Sequence, residues 1–571
     1  MVSGEGDLCS VQQELDRVAK CPLVVEETPS RGRGLVARGR IKAGQDVLVE
    51  EPYAACLFTE QLDQYCDFTF KAAPANKKLL RCSKSKVARY SSREAQAAAW
   101  KSYYKEECKA IVKCRPNLPK PTARLVARMF WKRKTAPLGW DLISRLQNHW
   151  PNFADKRKAF LAVMANEVNK LLMDTEPPSA SVKEICMAMA RLLCNVHTIT
   201  DDELHPIGMG IYPIASLANH SCEPNCVQVY SGKQLYYKAL RDIDGGEEIL
   251  ISYVDSCSVA SERREILLQE YFFDISADDS SSGSASGSAI KSSKIFQRAI
   301  EISPAVELFK VDALQAEHVP FPESLTNEKE DPFVSIYSCV NAVQCEKVGK
   351  AFTVRRWETN SGEGRQEDFD LFSPHADDIS GIAGDRVKVV CSFEEEGNLS
   401  YAATAGRLLH EVHKHILHAE RSVKEQDNAS GAYEEVRKVL DLCDNGRFES
   451  CQICLSKFHI SRLRALRLLL DASIKVQKFD TALNVARELV DPYKLLYNKN
   501  GPVYGLHLAA LAKLESYFGN LEAAVAAARE SLAVLESTLP PGNATVRTME
   551  ELMNRSLMEW DALRNREEEA S

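Results

Sequence analysis

The stretch Leu217-Ala218-Asn219-His220-Ser221-Cys222-Glu223-Pro224-Asn225 is followed after a short gap by Gly245-Gly246-Glu247-Glu248-Ile249-Leu250-Ile251-Ser252-Tyr253. Asn219 and His220 come straight after an apolar run, where a buried polar pair needs hydrogen-bond partners. Taken alone, such a pair reads equally well as a satisfied structural turn. Upstream, Arg31-Gly32-Arg33-Gly34-Leu35 offers two glycines that let backbone come close to a ligand, and two arginines able to offset a carboxylate. An ordinary β-turn is the plain reading of a lone Gly-x-Gly.

Working outward, residues Cys21 to Phe58 alternate apolar and polar positions around Gly-bearing turns, which predicts short strands at Leu23 to Glu26, Gly34 to Ala37 and Asp46 to Glu51, with a turn at Lys42-Ala43-Gly44. Residues 60–110 are richer in Cys, Ser and Lys and read as a separate small insert. From Thr122 to about Leu193 the apolar spacing is helical, as in Leu125 and Met129, Leu142 and Leu146, and Phe160, Val163 and Met164. Strands return at Ile207 to Ile214, Val227 to Tyr230, Leu235 to Ala239 and Glu248 to Tyr253. Asp279 to Lys294 is Ser/Gly-rich and predicts a flexible linker, and 295–400 shows no clean periodicity. Beyond about Ala402 the pattern is helical. Phe479-Asp480-Thr481-Ala482-Leu483 and Leu521-Glu522-Ala523-Ala524-Val525 echo each other, predicting stacked helix hairpins of a tetratricopeptide-like kind; a plain helical bundle is the alternative.

At 571 residues, the chain exceeds what one hydrophobic core supports, so two to four folded units are expected. The 45% hydrophobic and 27% charged content is that of a soluble globular protein, and a formal charge of −8 disfavours a general duplex-binding surface. The basic run Arg115 to Lys134, with Arg124 and Arg128 inside it, predicts a solvated helix face, with an acidic partner or nucleic acid as the alternative. Met1 to Lys20 lacks the apolar segment of a secretory signal, and no run approaches the length of a membrane span. An intracellular protein, cytoplasmic or nuclear, with 18 mostly reduced cysteines is expected.

In this order and spacing, the two segments and Arg31 to Leu35 resemble the signature elements of SET-domain methyltransferases, and the intervening and trailing helices resemble the SET and MYND domain (SMYD) family, closest to its plant-type members. The resemblance implies a protein-lysine N-methyltransferase using S-adenosyl-L-methionine, on a histone or another protein. Its implied fold is α+β: a SET domain split over 21–59 and 201–275, a MYND-like insert at 60–110, a helical insert at 111–200, a post-SET-like region at 276–400, and a helical TPR-like domain at 401–571. It assigns cofactor contacts to Arg31, Gly32, Arg33, Gly34, His149, Asn219, His220, Tyr253 and Tyr271, and catalysis to Tyr253 and Tyr271. Tyr253 would orient the lysine amine, while Tyr271, Phe272 and Phe273 close its channel, against ordinary core packing as the plain reading. The helical carboxyl-terminal domain is an implied surface for protein partners. No membrane or clear nucleic-acid site is implied.

The chain also departs from the family. Of the finger's eight ligand positions only Cys66, Cys82 and Cys108 remain; Thr69, Ser85, Ser91, Ala95 and Tyr104 (or Tyr103) occupy the others. A structural zinc needs four ligands. In the post-SET run Cys222 is kept, whereas Ile275, Ala277 and Ser280 replace its partners, and Cys339 and Cys345 are poorly spaced substitutes. No metal residue is therefore assigned. The helix signal from Ser92 to Cys108 predicts a finger remnant that survives by packing on the catalytic lobe, with Lys71 to Lys86 a mobile loop. These losses keep open a second class of function, an inactive or cofactor-binding adaptor.

Overall fold

The computed structural model describes residues 4–28, 31–73, 77–173, 180–258, 260–273, 411–423, 428–448, 451–455 and 460–570, with short strands at 343–345, 353–355 and 368–370. The Ser/Gly-rich linker and nearly all of the post-SET-like region lie outside the described residues.

Helix α1 (Gly4–Val18) precedes the antiparallel pair β1 (Leu23–Thr28) and β2 (Gly32–Ala37). Val11, Leu15 and Val18, one face of α1 at helical spacing, bury into the main core, so the polar-looking amino terminus is a packed helix. Strand β3 (Asp46–Glu50) joins β10 (Cys226–Ser231) and β11 (Gln234–Ala239) in one sheet; β4 (Ala54–Leu57), β7 (Val196–Thr200) and β8 (Pro206–Ile211) form another. The turn into β3 needs a left-handed residue, and Gly44 takes it at φ +80. Residues 196–200, expected to close a helical insert, are thus a strand, because they pair with β8 on the lobe's own sheet.

In the chain between β4 and β7 come α4 (Pro121–Lys132), α5 (Pro137–Ser144), α6 (Asp155–Leu172) and α7 (Val182–Asn195), of which α4 packs on β4. Each start is written locally: proline opens α4 and α5, and a Ser181/Glu184 capping box opens α7. In α6 the buried face is Leu161, Ala165, Val168 and Leu172, whereas Phe160 and Val163 are 61% and 63% exposed. The helical spacing of Phe160, Val163 and Met164 is thus met by a helix, and its contacts with α4 and α7 bury the neighbouring stripe.

The basic run is corrected more sharply. Arg124 and Arg128 are each 1% exposed, not solvated and not free for a partner. Arg124 Nε donates to Glu107 at 2.8 Å; Arg128 donates to Glu107 at 2.8 Å, to both oxygens of Asp67 at 2.9 and 3.0 Å, and through Nη1 to Ala55 O at 2.6 Å. Four charges taken out of water this way are tolerated only because they pair and hydrogen-bond.

That network is the floor of the 60–110 insert, expected above to be a finger remnant, whose own core is Cys66, Cys82, Cys108, Tyr90 and Tyr104 with Leu79 and three alanines. Hydroxyls satisfy the polar groups of this core: Ser85 Oγ and Tyr104 Oη are 2.6 Å apart, and Ser91 Oγ donates to Cys66 Sγ at 3.5 Å. Helices α2 (Arg93–Ala99), capped by Ser92, and α3 (Lys105–Cys114) follow the predicted signal. Within the expected mobile loop, β5 (Leu80–Arg81) pairs with β6 (Arg89–Tyr90), and Cys82 N donates to Ala88 O at 2.9 Å, so its second half is a hairpin.

The carboxyl-terminal region is helical, and Phe479 and Leu521 each open a helix, Phe479–Glu488 and Leu521–Thr538. It docks on the strand lobe: Val229 of β10 is buried among Ala509, Ala528, Leu532 and Leu535, and Asn500 Nδ2 donates to Leu240 O at 3.0 Å. Arg467 reaches Asp255 at 2.8 Å, and Arg464 reaches Glu262 at 2.9 Å.

Candidate active site

The two quoted segments meet as parallel strands, β9 (Asn219–His220) beside β12 (Leu250–Ile251), with Asn219 opposite Leu250 and His220 opposite Ile251. Asn225, 1% exposed, staples them: its Nδ2 donates to Glu248 O at 2.7 Å and its Oδ1 accepts from Leu250 N at 2.8 Å. The third segment closes on the same place. Asn219 Nδ2 donates to Arg33 O at 3.2 Å and to Glu248 Oε1 at 2.7 Å. A Cβ on Gly34 would lie 2.2 Å from that carboxylate oxygen and 3.0 Å from Asn219 Nδ2, so any larger residue would displace the Glu248 carboxylate from this place, while Gly32, at φ +74, faces open space. Arg31 Nη1 stands 3.5 Å from Glu248 Oε2, whereas Arg33 turns away to donate to Arg145 O at 2.7 Å.

Glu248 is the residue that sequence reasoning missed. It touches Asn219 and Arg31 and packs on Gly34; the only signal for it was its place in the Gly-Gly-Glu-Glu run. Glu50, also unassigned, is 3% exposed and accepts from Ile214 N at 3.1 Å and Ala215 N at 2.8 Å, fixing the turn that delivers Ala218, Asn219 and His220. Burial raises its carboxyl to about 7 against the pull of those two N–H groups.

His220 Nδ1 accepts from Tyr253 N at 3.0 Å, so the ring is neutral with its proton on Nε2 toward Cys222 Sγ, 3.4 Å away. Burial first, then Arg263 and Arg31, lower it to about 3. Tyr253 donates its hydroxyl to Ala218 O at 2.7 Å, and burial raises that phenol above its ordinary range. The rings of Tyr253 and Tyr271 are 4.7 Å apart, with His220 at 5.3 Å and Phe273 at 6.4 Å from Tyr253.

Phe272 does not join this group. It takes φ +63, which sends its ring the other way to stack on His149 and Phe153, each at 5.1 Å. Arg157 caps the stack 4.7 Å over Phe153. Of the three rings expected to close a channel, Tyr271 and Phe273 lie beside Tyr253, whereas Phe272 stacks on His149, away from Tyr253. Among the described residues, no group of three or more His, Cys, Asp or Glu side chains is placed to hold a metal, and no helix is long and apolar enough to cross a membrane. Cys339 and the side chain of Cys345 lie outside the described residues.

Residues 32–254 match the SET domain family model. The chain is 32% identical over 265 residues to the Homo sapiens histone-lysine N-methyltransferase SMYD3, covering 44% of this chain and 60% of that one. It is 31% identical over 263 residues to the Arabidopsis thaliana histone-lysine N-methyltransferase ASHR1, covering 44% and 53%. The match to the Danio rerio N-lysine methyltransferase SMYD2-A is 28% over 348 residues, 58% of this chain and 74% of that one. The chain thus spans little more than half the length of the first two relatives.

Proposed function

We infer that this chain, a SET-domain protein related to the SMYD proteins, transfers a methyl group from S-adenosylmethionine to a lysine side chain of a protein. The observation that carries the reading is the convergence of three sequence segments, 31–34, 219–225 and 248–253, around Asn219, Glu248, His220 and Tyr253. The donor set suits the cofactor's amino-acid part: the Arg31 guanidinium for its carboxylate, the Glu248 carboxylate for its ammonium, and the open backbone edge at Gly32 for close approach. When bound, S-adenosylmethionine supplies the electrophilic methyl group.

What the chain's own residues contribute is position and a dry environment. An ordinary lysine has a pKa of about 10.4, so presenting its neutral amine at pH 7 costs about 4 to 5 kcal/mol in water. Tyr253, Tyr271 and Phe273 surround the approach with rings, and an apolar surround lowers that cost by disfavouring the ammonium. The Tyr253 hydroxyl, fixed on Ala218 O, is the polar atom left to align the amine. His220 holds the Tyr253 backbone and stays neutral, so it adds no charge to repel a sulfonium.

A cofactor-binding adaptor without turnover is the second reading, favoured by Ile275, Ala277 and Ser280 in place of the cysteines that would pair with Cys222. Incubation of the purified protein with methyl-labelled S-adenosylmethionine and a cell extract decides between them. The enzyme reading expects label on lysine that falls steeply with Tyr253→Phe. Cofactor binding by calorimetry with no transferred label would leave the adaptor.

A further inference from the structure

Where the finger remnant meets the strand lobe, a recess of about 30 Å³ is lined by Tyr53, Asp67, Phe68, Arg128, Lys132 and Lys233 among others. The volume accommodates about one or two water-sized particles, which excludes an organic ligand. Its two ammonium groups are short of partners. Lys132 Nζ donates to Tyr53 O and lies 5.0 Å over the Tyr53 ring; Lys233 Nζ lies 4.2 Å over the Phe68 ring, with its nearest carboxylate, Glu51, at 3.9 Å. Neither ammonium makes a hydrogen-bonded ion pair, although each carries three N–H donors.

The charges around the recess do not cancel. Arg124 and Arg128 are matched by Asp67 and Glu107 in the buried network, which leaves Lys132 and Lys233 to share Glu51, itself 57% exposed. One positive charge is therefore in excess in a half-buried place, where an unpaired charge is costly. Burial and the neighbouring ammonium lower Lys132 to about 8, and burial lowers Lys233 as well, the expected response of two cations lacking an anion.

We propose that this recess is a binding site for a small monovalent inorganic anion, of the size and charge of chloride, bridged by Lys132 and Lys233. One such anion supplies the missing negative charge and acceptor, and fixes the finger remnant, through Phe68, to the strand lobe, through Lys233. The site is separate from the candidate active site and does not depend on the methyltransferase reading.

The test compares melting temperatures of the full chain in sodium chloride, sodium bromide and sodium gluconate at equal ionic strength. A saturable rise with either halide, absent with the bulky organic anion, is expected. Lys233→Met should weaken the apparent halide affinity at least tenfold, and Lys132→Gln, which keeps a donor to Tyr53 O, should also weaken it. Bromide-soaked crystals should show anomalous density between the two Nζ atoms. Equal melting in all three salts, a halide effect unchanged in both variants, or density accounted for by water alone would each overturn the proposal.

Discussion

The paired strands β9 and β12 and the insert around residues 66–108, expected to be a finger remnant, both keep polar groups from water, by opposite means. In the strand pair the main chain is what is held: Asn225 binds the N–H of Leu250 and the carbonyl of Glu248, Glu50 binds two backbone N–H groups, and Ser221 N donates to Ile251 O at 2.9 Å. The side chains of Asn219, Glu248 and Tyr253 are thereby held at a common centre. In the remnant the side chains are the scaffold, through Asp67, Glu107, Arg124 and Arg128 below and Ser85 with Tyr104 above. Substitution should therefore separate the regions, costing activity in the first and stability in the second.

The largest effect is expected in the network. Arg128→Ala leaves Asp67 and Glu107 buried with an unmatched charge, and removal of one partner from a buried pair costs about 3 to 5 kcal/mol. Urea unfolding measures it. A loss below about 1 kcal/mol would mean that the remnant does not rest on these charges, and the contrast would fail.

Next is Tyr253→Phe. Turnover should fall on the order of a hundredfold, about 2.7 kcal/mol, with cofactor affinity within about twofold, because the hydroxyl acts on the aligned amine and not on the bound donor. Folding stability should change by only about 1 kcal/mol, the worth of one hydrogen bond to Ala218 O. Equal loss of cofactor affinity and turnover would show that the tyrosine is part of the binding floor instead.

The same contrast explains what was readable in advance. The strands β1 to β3, β10 and β11 and the insert helices follow from local alternation and helical spacing, which survive translation from sequence to structure because they are set by neighbours in the chain; the three site segments were legible only through their resemblance to the SET signature elements. Burial of Arg124 and Arg128 did not follow, since it depends on Asp67 and Glu107 far away in sequence. Glu50 and Glu248 were hidden for the same reason, and the outward turn of Phe272 was hidden because one backbone angle reverses its side.

Glu50 gives a pH test of the backbone clamp. Its folded carboxyl titrates at about 7 against 4.5 for the free group, so between those values the folded chain holds a proton that the unfolded chain has released. The folded state binds more protons there, and this group's contribution to stability falls as pH rises from about 4.5 to 7, by on the order of 3 kcal/mol, then levels off. Glu50→Gln should remove that slope, read as the difference between the two proteins in urea midpoints across pH 5 to 8. Parallel curves would place Glu50 outside the titration.

The smallest effect belongs to the upper half of the remnant, and follows from counting ligands. A bound structural zinc contributes on the order of 10 to 16 kcal/mol of apparent folding energy, so its removal from an intact finger is drastic. Here Ser85 and Tyr104 share a 2.6 Å hydrogen bond, Tyr104 Oη also accepts from Ala88 N at 3.3 Å, and Tyr90 packs edge-on against Tyr104 at 5.8 Å. These contacts are neutral and local, each worth about 1 kcal/mol. Strong chelators should thus barely shift the melting temperature, elemental analysis should return less than one zinc per chain, and Tyr104→Phe should cost only about 1 kcal/mol. Two or three tightly held zinc ions would reverse the contrast, because metal and not hydroxyls would then be holding the cysteines Cys66, Cys82 and Cys108 together.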